Sequence, residues 1–158
     1  MNKEGFSLIE LLIVVAIIGI IAAIAVPNLL TAIQKGKQKF TIGEMKTIGI
    51  SVEAYMIEYK MAPGGGALTL VSQLERYLSP FYIKILAQRR DGWDSPFIYQ
   101  SGAIGSNQEY YSIISFGRDG VATPMNINNN NYAVSTIDGF NNDICYSNGS
   151  FTYAPKVK

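Results

Sequence analysis

Histidine is absent from this 158-residue chain, and cysteine occurs once, at Cys145. Without histidine, the commonest general base and the commonest imidazole metal ligand are both missing. A lone cysteine forms no internal disulfide, so an exported domain must be held by packing or by a bound metal. Charge is scarce as well, at 16% of residues with a net charge of +1. A near-neutral chain lacks the basic face that a nucleic-acid partner requires, so no nucleic acid is expected. There is no Gly-x-Ser-x-Gly, no phosphate loop and no internal repeat, which argues with the missing histidine against an enzyme. What the chain has in quantity is apolar surface, including 10 tyrosines. Its length suits one membrane segment and one modest domain.

The apolar residues are concentrated at the start. Between positions 6 and 26 only Ser7, Glu10 and Gly19 interrupt the aliphatics. A helix over that span is about 30 Å long, enough to cross a hydrocarbon core. The pattern continues past Pro27, with Ile33, Phe40, Met45, Ile48, Val52, Tyr55, Met56 and Tyr59 apolar among lysines and glutamates. From Met45 onward their steps are of three and four, the mark of a one-sided helix. Pro27 is therefore expected to kink one long helix over 6–60 rather than end it, although Gly36, Gly43 and Gly49 weaken it. The run "APGGG" at 62–66 closes that helix. Residues 68–78 read as a short helix capped by Thr69 and ended by Ser79-Pro80. Residues 97–101 and 109–116 read as strands, 126–131 as a polar loop, and 144–153 as a hairpin turning at Asn148-Gly149.

One acid, Glu10, stands inside "GFSLIELLIVVAIIGIIAAIAV". Near a bilayer centre an unpaired carboxylate costs roughly 3 kcal/mol. Three readings account for it. In the first, "SLIE" is a capping box in which Ser7 and Glu10 satisfy free amides at a helix start, where the dipole also favours an acid. In the second, the segment is a secretory signal, with Lys3 before the core 11–21, a cleavage site at Ala23-Ile24-Ala25 and a mature chain from Val26. Glu10 sits awkwardly at the border of such a core. The third rests on the stretch "KEGFSLIELLIVVAIIGIIAAIAVP", which resembles the processing site and first helix of type IV prepilins and pseudopilins. The resemblance implies that a membrane peptidase cuts between Gly5 and Phe6 and that the new N-terminal Phe6 is methylated. It further implies that Glu10 pairs with the Phe6 amine of a neighbouring subunit. Such a pair is favourable only when a neighbour is docked, so the acid selects for assembly. Lys35, Lys37 and Lys39 follow the span while Lys3 lies beside Glu4, so charge alone does not place the N-terminus in the cytoplasm.

Farther on, "DGWDSPFIYQSG" and "YSIISFGRDG" are similar to the sheet region of major pseudopilins of type II secretion. That family stabilises its C-terminal loop with calcium. Carried over, the resemblance implies calcium held by Asp119, Asp138, Asp143 and the backbone carbonyl of Phe116. The metal suits oxygen donors in acidic loops beside glycines. Asp-Gly at 119–120 and 138–139 is equally ordinary turn chemistry, and Asp143 also reads as the start of the hairpin.

Taken together, the expected fold is α+β, a pilin-like ladle: a long kinked N-terminal helix packed on a small antiparallel sheet. The expected parts are a leader 1–5, a helix 6–60 (6–27 spanning, 28–60 amphipathic) and a globular α+β domain 61–158. The expected function is a filament subunit, the major pseudopilin of a type II secretion system, polymerising with itself. A surface type IV pilin is the near alternative, and a signal-peptide-exported or membrane-anchored binding domain the distant one. The resemblance implies as partners the prepilin peptidase, an inner-membrane assembly platform, minor pseudopilins and the membrane. It places the chain in the bacterial inner membrane as a single pass, its C-terminal domain periplasmic and its filament periplasmic or extracellular.

Overall fold

A computed structural model describes residues 5–64, 68–102, 109–122, 131–132, 134 and 136–156. The chain divides into two compact units, Met1–Lys35 and Gly36–Lys158. One helix, α1 (Leu8–Tyr59), contributes to both. In the first unit it is aliphatic on every side and runs unbroken through Pro27. Proline removes one ladder donor. Nearby, Asn28 Nδ2 donates to the Ile24 carbonyl at 3.1 Å and the Thr31 hydroxyl to the Pro27 carbonyl at 3.0 Å.

In the second unit, α1 lies against a six-stranded sheet. Its strands are β1 (Leu68–Leu70), β2 (Ile98–Gly102), β3 (Tyr110–Ser115), β4 (Asn131–Tyr132), β5 (Ile144–Ser147) and β6 (Ser150–Pro155). The spatial order is β1-β2-β3-β5-β6-β4. The first five of these are antiparallel, while β4 runs parallel to β6, pairing Asn131 with Ala154. The β5–β6 hairpin turns where expected. Asn148 and Gly149 both have positive φ, at 43° and 84°, as a primed two-residue turn requires. Of the polar tract expected as a loop, Asn131 is the first residue of β4 and 126–130 lie outside the described residues.

The core forms where the three-and-four stripe meets the sheet. Met45, Ile48 and Val52 are fully buried with Tyr99, Tyr111 and Ile113. Gly49 is a point of close approach: a Cβ there would collide with the Tyr146 ring. The glycine that weakens the helix as a propensity is thus what lets it seat on β5.

One expectation is corrected. Residues 68–78 are not one helix. Leu68–Leu70 pair antiparallel with Gln100, Tyr99 and Ile98, a 3-10 turn follows at Val71–Leu74, and only Glu75–Leu78 (α2) is α-helical. The free edge of β2 offers ladder bonds that outweigh a weak local helix preference. Thr69 therefore sits in a strand, its hydroxyl bonded to the Gln73 side chain. The aromatics of 40–59 lie outside the fully buried core. Tyr55 stacks on Tyr59 at 4.4 Å and meets Tyr77 and Tyr82 edge-on, and Phe40 is exposed. The short charged run Arg89-Arg90-Asp91 is anchored at both ends. Asp91 is buried, accepting from the amides of Trp93 (2.9 Å) and Ser95 (2.8 Å) and from the Ser115 hydroxyl (2.8 Å). Its own turn supplies two of those donors, which is how a carboxylate is buried cheaply. Arg89 Nη1 meets Glu44 at 2.5 Å.

Candidate functional site

The start of α1 is built by two side chains. The Ser7 amide donates to Glu10 Oε2 at 2.9 Å, and the Ile9 amide donates to Ser7 Oγ at 3.3 Å. The first helical backbone bond joins the Leu11 amide to the Ser7 carbonyl at 3.2 Å. This is a capping box with the hydroxyl turned one residue early, and it satisfies two of the amides that a helix start leaves open. Gly5 and Phe6 precede the helix and are exposed. Residues 1–4, the rest of the expected leader, lie outside the described residues.

Beyond this cap the aliphatic side chains have no protein cover. The most apolar window of α1 has a mean hydropathy of 3.1 and none of it is buried. The helix is long and apolar enough to cross a membrane, by length and composition. Bare aliphatic surface on every side of a helix is unstable in water and fits lipid or other helices.

The expected calcium residues fall on two turns that touch. The turn after β3 carries Phe116 and Asp119, and the 3-10 turn Ile137–Asn141 carries Asp138, with Asp143 just beyond. Gly117 (φ 67°) has no room for a side chain, because the carbonyls of Phe140 and Asn142 crowd it. Arg118 joins the turns. Its amide donates to the Phe140 carbonyl at 2.9 Å, its Nε to Asn141 Oδ1 at 2.8 Å, and its Nη2 lies 3.5 Å from Asp138. Asp119 and Asp138 are at the surface, and Asp119 accepts from the Val121 amide at 3.1 Å. Asp143 is 1% exposed and lies close to Tyr132. The Tyr132 hydroxyl is raised well above its ordinary pKa, by burial first, then by Tyr153 and the Asp143 charge. Among the described residues no three acidic, histidine or cysteine side chains gather closely enough to hold a metal ion. Any cation here would take main-chain oxygens too, which calcium accepts. Arg118 was missed from sequence; the signal was a lone arginine inside "FGRDG", between a strand and a turn.

A hollow of about 610 Å³ is lined by Tyr55, Tyr59, Tyr77, Tyr82, Phe81 and Glu58. Glu58 is bonded to the Tyr82 hydroxyl, which pushes that phenol up. This arrangement offers an aromatic wall rather than a nucleophile with its base.

Comparison with known proteins adds to this geometry. Residues 1–26 match the family model described as the prokaryotic N-terminal methylation motif, and residues 28–135 match that of type II secretion system (T2SS), protein G. The chain is 30% identical over 130 residues to the type II secretion system core protein G of Aeromonas hydrophila, covering 77% of this chain and 87% of that protein. It is 28% identical over 127 residues to the core protein G of Pseudomonas aeruginosa, covering 75% and 88%. It is 43% identical over 65 residues to fimbrial protein Q of Moraxella bovis, covering 41% of each. No solved structure matches the chain. With the protein G model covering more than half its length, and a bare apolar helix joined to a helix-backed sheet, the chain belongs to the type II secretion system protein G family.

Proposed function

We propose that this chain is a major pseudopilin, the repeating subunit of a short filament in type II secretion. The observation that carries the reading is the bare aliphatic helix behind a non-helical Gly5-Phe6. The subunit waits in the bacterial inner membrane as a single pass, with its C-terminal domain in the periplasm. A membrane peptidase cuts between Gly5 and Phe6, and Phe6 is methylated. The assembly platform and minor pseudopilins then pass the helix from lipid into a core of like helices, so its aliphatic surface never meets water. Glu10 pairs across copies with the Phe6 amine. The role is structural and involves no catalysis. The match to fimbrial protein Q covers less of the chain than the core protein G matches do, which favours secretion over a surface pilus.

Calcium is part of the proposal for the two touching turns, with Asp119, Asp138, Asp143 and the Phe116 carbonyl as donors. Its support is the oxygen-only donor set and a loop that no disulfide can close.

Intact-mass spectrometry of the membrane fraction tests the processing. The expected mass is that of a chain starting at Phe6 and carrying one methyl group. A chain starting at Val26 overturns the filament reading and restores the signal peptide.

A further inference from the structure

The hollow at the end of α1 is walled by rings from three places in the chain. Tyr55 and Tyr59 come from the last turns of α1, Tyr77 from α2, and Phe81 and Tyr82 from the turn after it. All belong to the second compact unit. Tyr55 and Tyr59 lie at 20° to each other, while Tyr77 and Tyr82 stand at 76° and 75° to Tyr55. The rings thus meet at steep angles around a shared space instead of packing it shut. That space, about 610 Å³, is of the size that holds a small molecule. Phe81 is 90% exposed, an apolar ring left in water with no packing to offset it.

Two charged side chains line the hollow, Glu58 and Arg76. Among the described residues neither lies within ion-pair distance of an opposite charge. Glu58 takes the Tyr82 hydroxyl on Oε2, which leaves Oε1 to accept from a ligand. Lys60 and Lys84 are close in sequence to ring residues but do not line the space. Glu75 spends its Oε2 on the amides of Leu86 and Ala87, at 2.8 and 2.6 Å. Arg76 holds its guanidinium over the Tyr77 ring, 4.8 Å from the centroid. One tyrosine of the hollow therefore already carries a cation of the chain's own.

Ring faces are electron-rich and draw cations, and a flat guanidinium both stacks on them and donates to a carboxylate. An anion here would meet Glu58 and the negative ring faces together. A neutral ligand would leave the Glu58 charge unanswered. A guanidinium satisfies both the rings and the acid.

We propose that this hollow binds an alkylguanidinium ligand, its planar head among Tyr55, Tyr77 and Tyr82 and bonded to Glu58, its alkyl chain along Phe81. The site is distinct from the capped helix start and from the turns around Arg118, and it does not depend on the filament reading. Arg76 carries the charge of the ligand and competes for Tyr77, so it weakens binding.

The test titrates the full-length chain in detergent micelles with N-butylguanidinium and with N-butylurea, its neutral counterpart of the same shape. Isothermal calorimetry, with empty micelles as the blank, reads the affinities. Butylguanidinium should bind roughly tenfold or more tightly than butylurea, the worth of a cation on ring faces beside a carboxylate. Glu58→Gln keeps an oxygen for the Tyr82 hydroxyl and removes the charge. It should weaken butylguanidinium about tenfold and leave butylurea unchanged. Arg76→Gln should tighten butylguanidinium several-fold. Both residues are exposed, so both variants should melt with the parent. Equal affinity for the two ligands, or no saturable binding of either, overturns the proposal. Butylguanidinium binding undiminished by Glu58→Gln also overturns it, because the cation then sits elsewhere. Weaker binding from Arg76→Gln overturns it as well, in favour of a ligand that needs the positive charge.

Discussion

Glu10 has two carboxylate oxygens and, in a single chain, commits one of them to the Ser7 amide. A cap alone is satisfied by glutamine as well as by glutamate, since either oxygen accepts the same bond. Glu10→Gln should therefore keep the helix start and ease insertion, because an amide is cheaper to bury than a carboxylate. It removes only the negative charge proposed to meet the Phe6 amine of the next copy. The outcome we expect is a variant that is inserted and processed but yields no filaments in sheared fractions. Glu10→Ala should in addition weaken the cap by about 1 kcal/mol. Normal filament yield from Glu10→Gln would reduce the acid to a cap. Both roles of this residue could be read beforehand, because a capping box is a local pattern and an acid in an aliphatic run is conspicuous. Asp91 was not readable in the same way: its burial depends on Ser115, 24 positions away on β3.

At the scale of elements, the two turns around Arg118 decide how the C-terminal half of the sheet is closed. Gly117 packs against carbonyls and Arg118 reaches Asn141 and Asp138, so Arg118→Ala should lower stability by about 1–3 kcal/mol, the usual worth of charged hydrogen bonds. The calcium proposal makes a separate statement about the same place. The 28–158 fragment should melt at a lower temperature in chelator, and added calcium should raise it by ligand linkage. Asp143→Ala should lose that response. Superimposable melting curves would leave Asp119, Asp138 and Asp143 as turn residues and Arg118 as the sole stitch named here. The turns were legible as Asp-Gly pairs, but their contact was not, since Arg118 and Asp138 are 20 positions apart and no local rule relates their positions. The 68–70 strand failed for a similar reason, because its partner is the β2 edge and not its own sequence neighbours.

Over the whole molecule, tyrosine carries a share of the buried packing, with Tyr99, Tyr111 and Tyr146 in the core. Burial holds the hydroxyls of Tyr99 and Tyr111 above their ordinary pKa of 10.0, and for Tyr111 the bond to Glu53 at 2.6 Å adds to it. These phenols stay protonated in the folded chain while the unfolded chain ionises. Their stabilisation is thus fully present below pH 10 and is lost as pH rises toward the folded values. The unfolding free energy of the 28–158 fragment, from denaturant titrations, should hold steady near pH 8 and fall above about pH 10, by up to about 1.4 kcal/mol per pH unit for each such tyrosine. A level profile to about pH 11 would show that these rings ionise as freely folded as unfolded.

The sequence by itself determined the long helix, its bare first half, the cap at Ser7 and Glu10, and the hairpin at Asn148-Gly149. Each is written in residues within a few turns of one another, where periodicity, capping and turn geometry act. Only the tertiary structure decided that β1 joins the sheet, that β4 lies parallel to β6, that Asp91 is buried, and that Phe40 of α1 stays exposed while Met45, Ile48 and Val52 are covered. Those outcomes turn on which distant surfaces meet, and a helix pattern alone does not say which of its stripes the sheet will take.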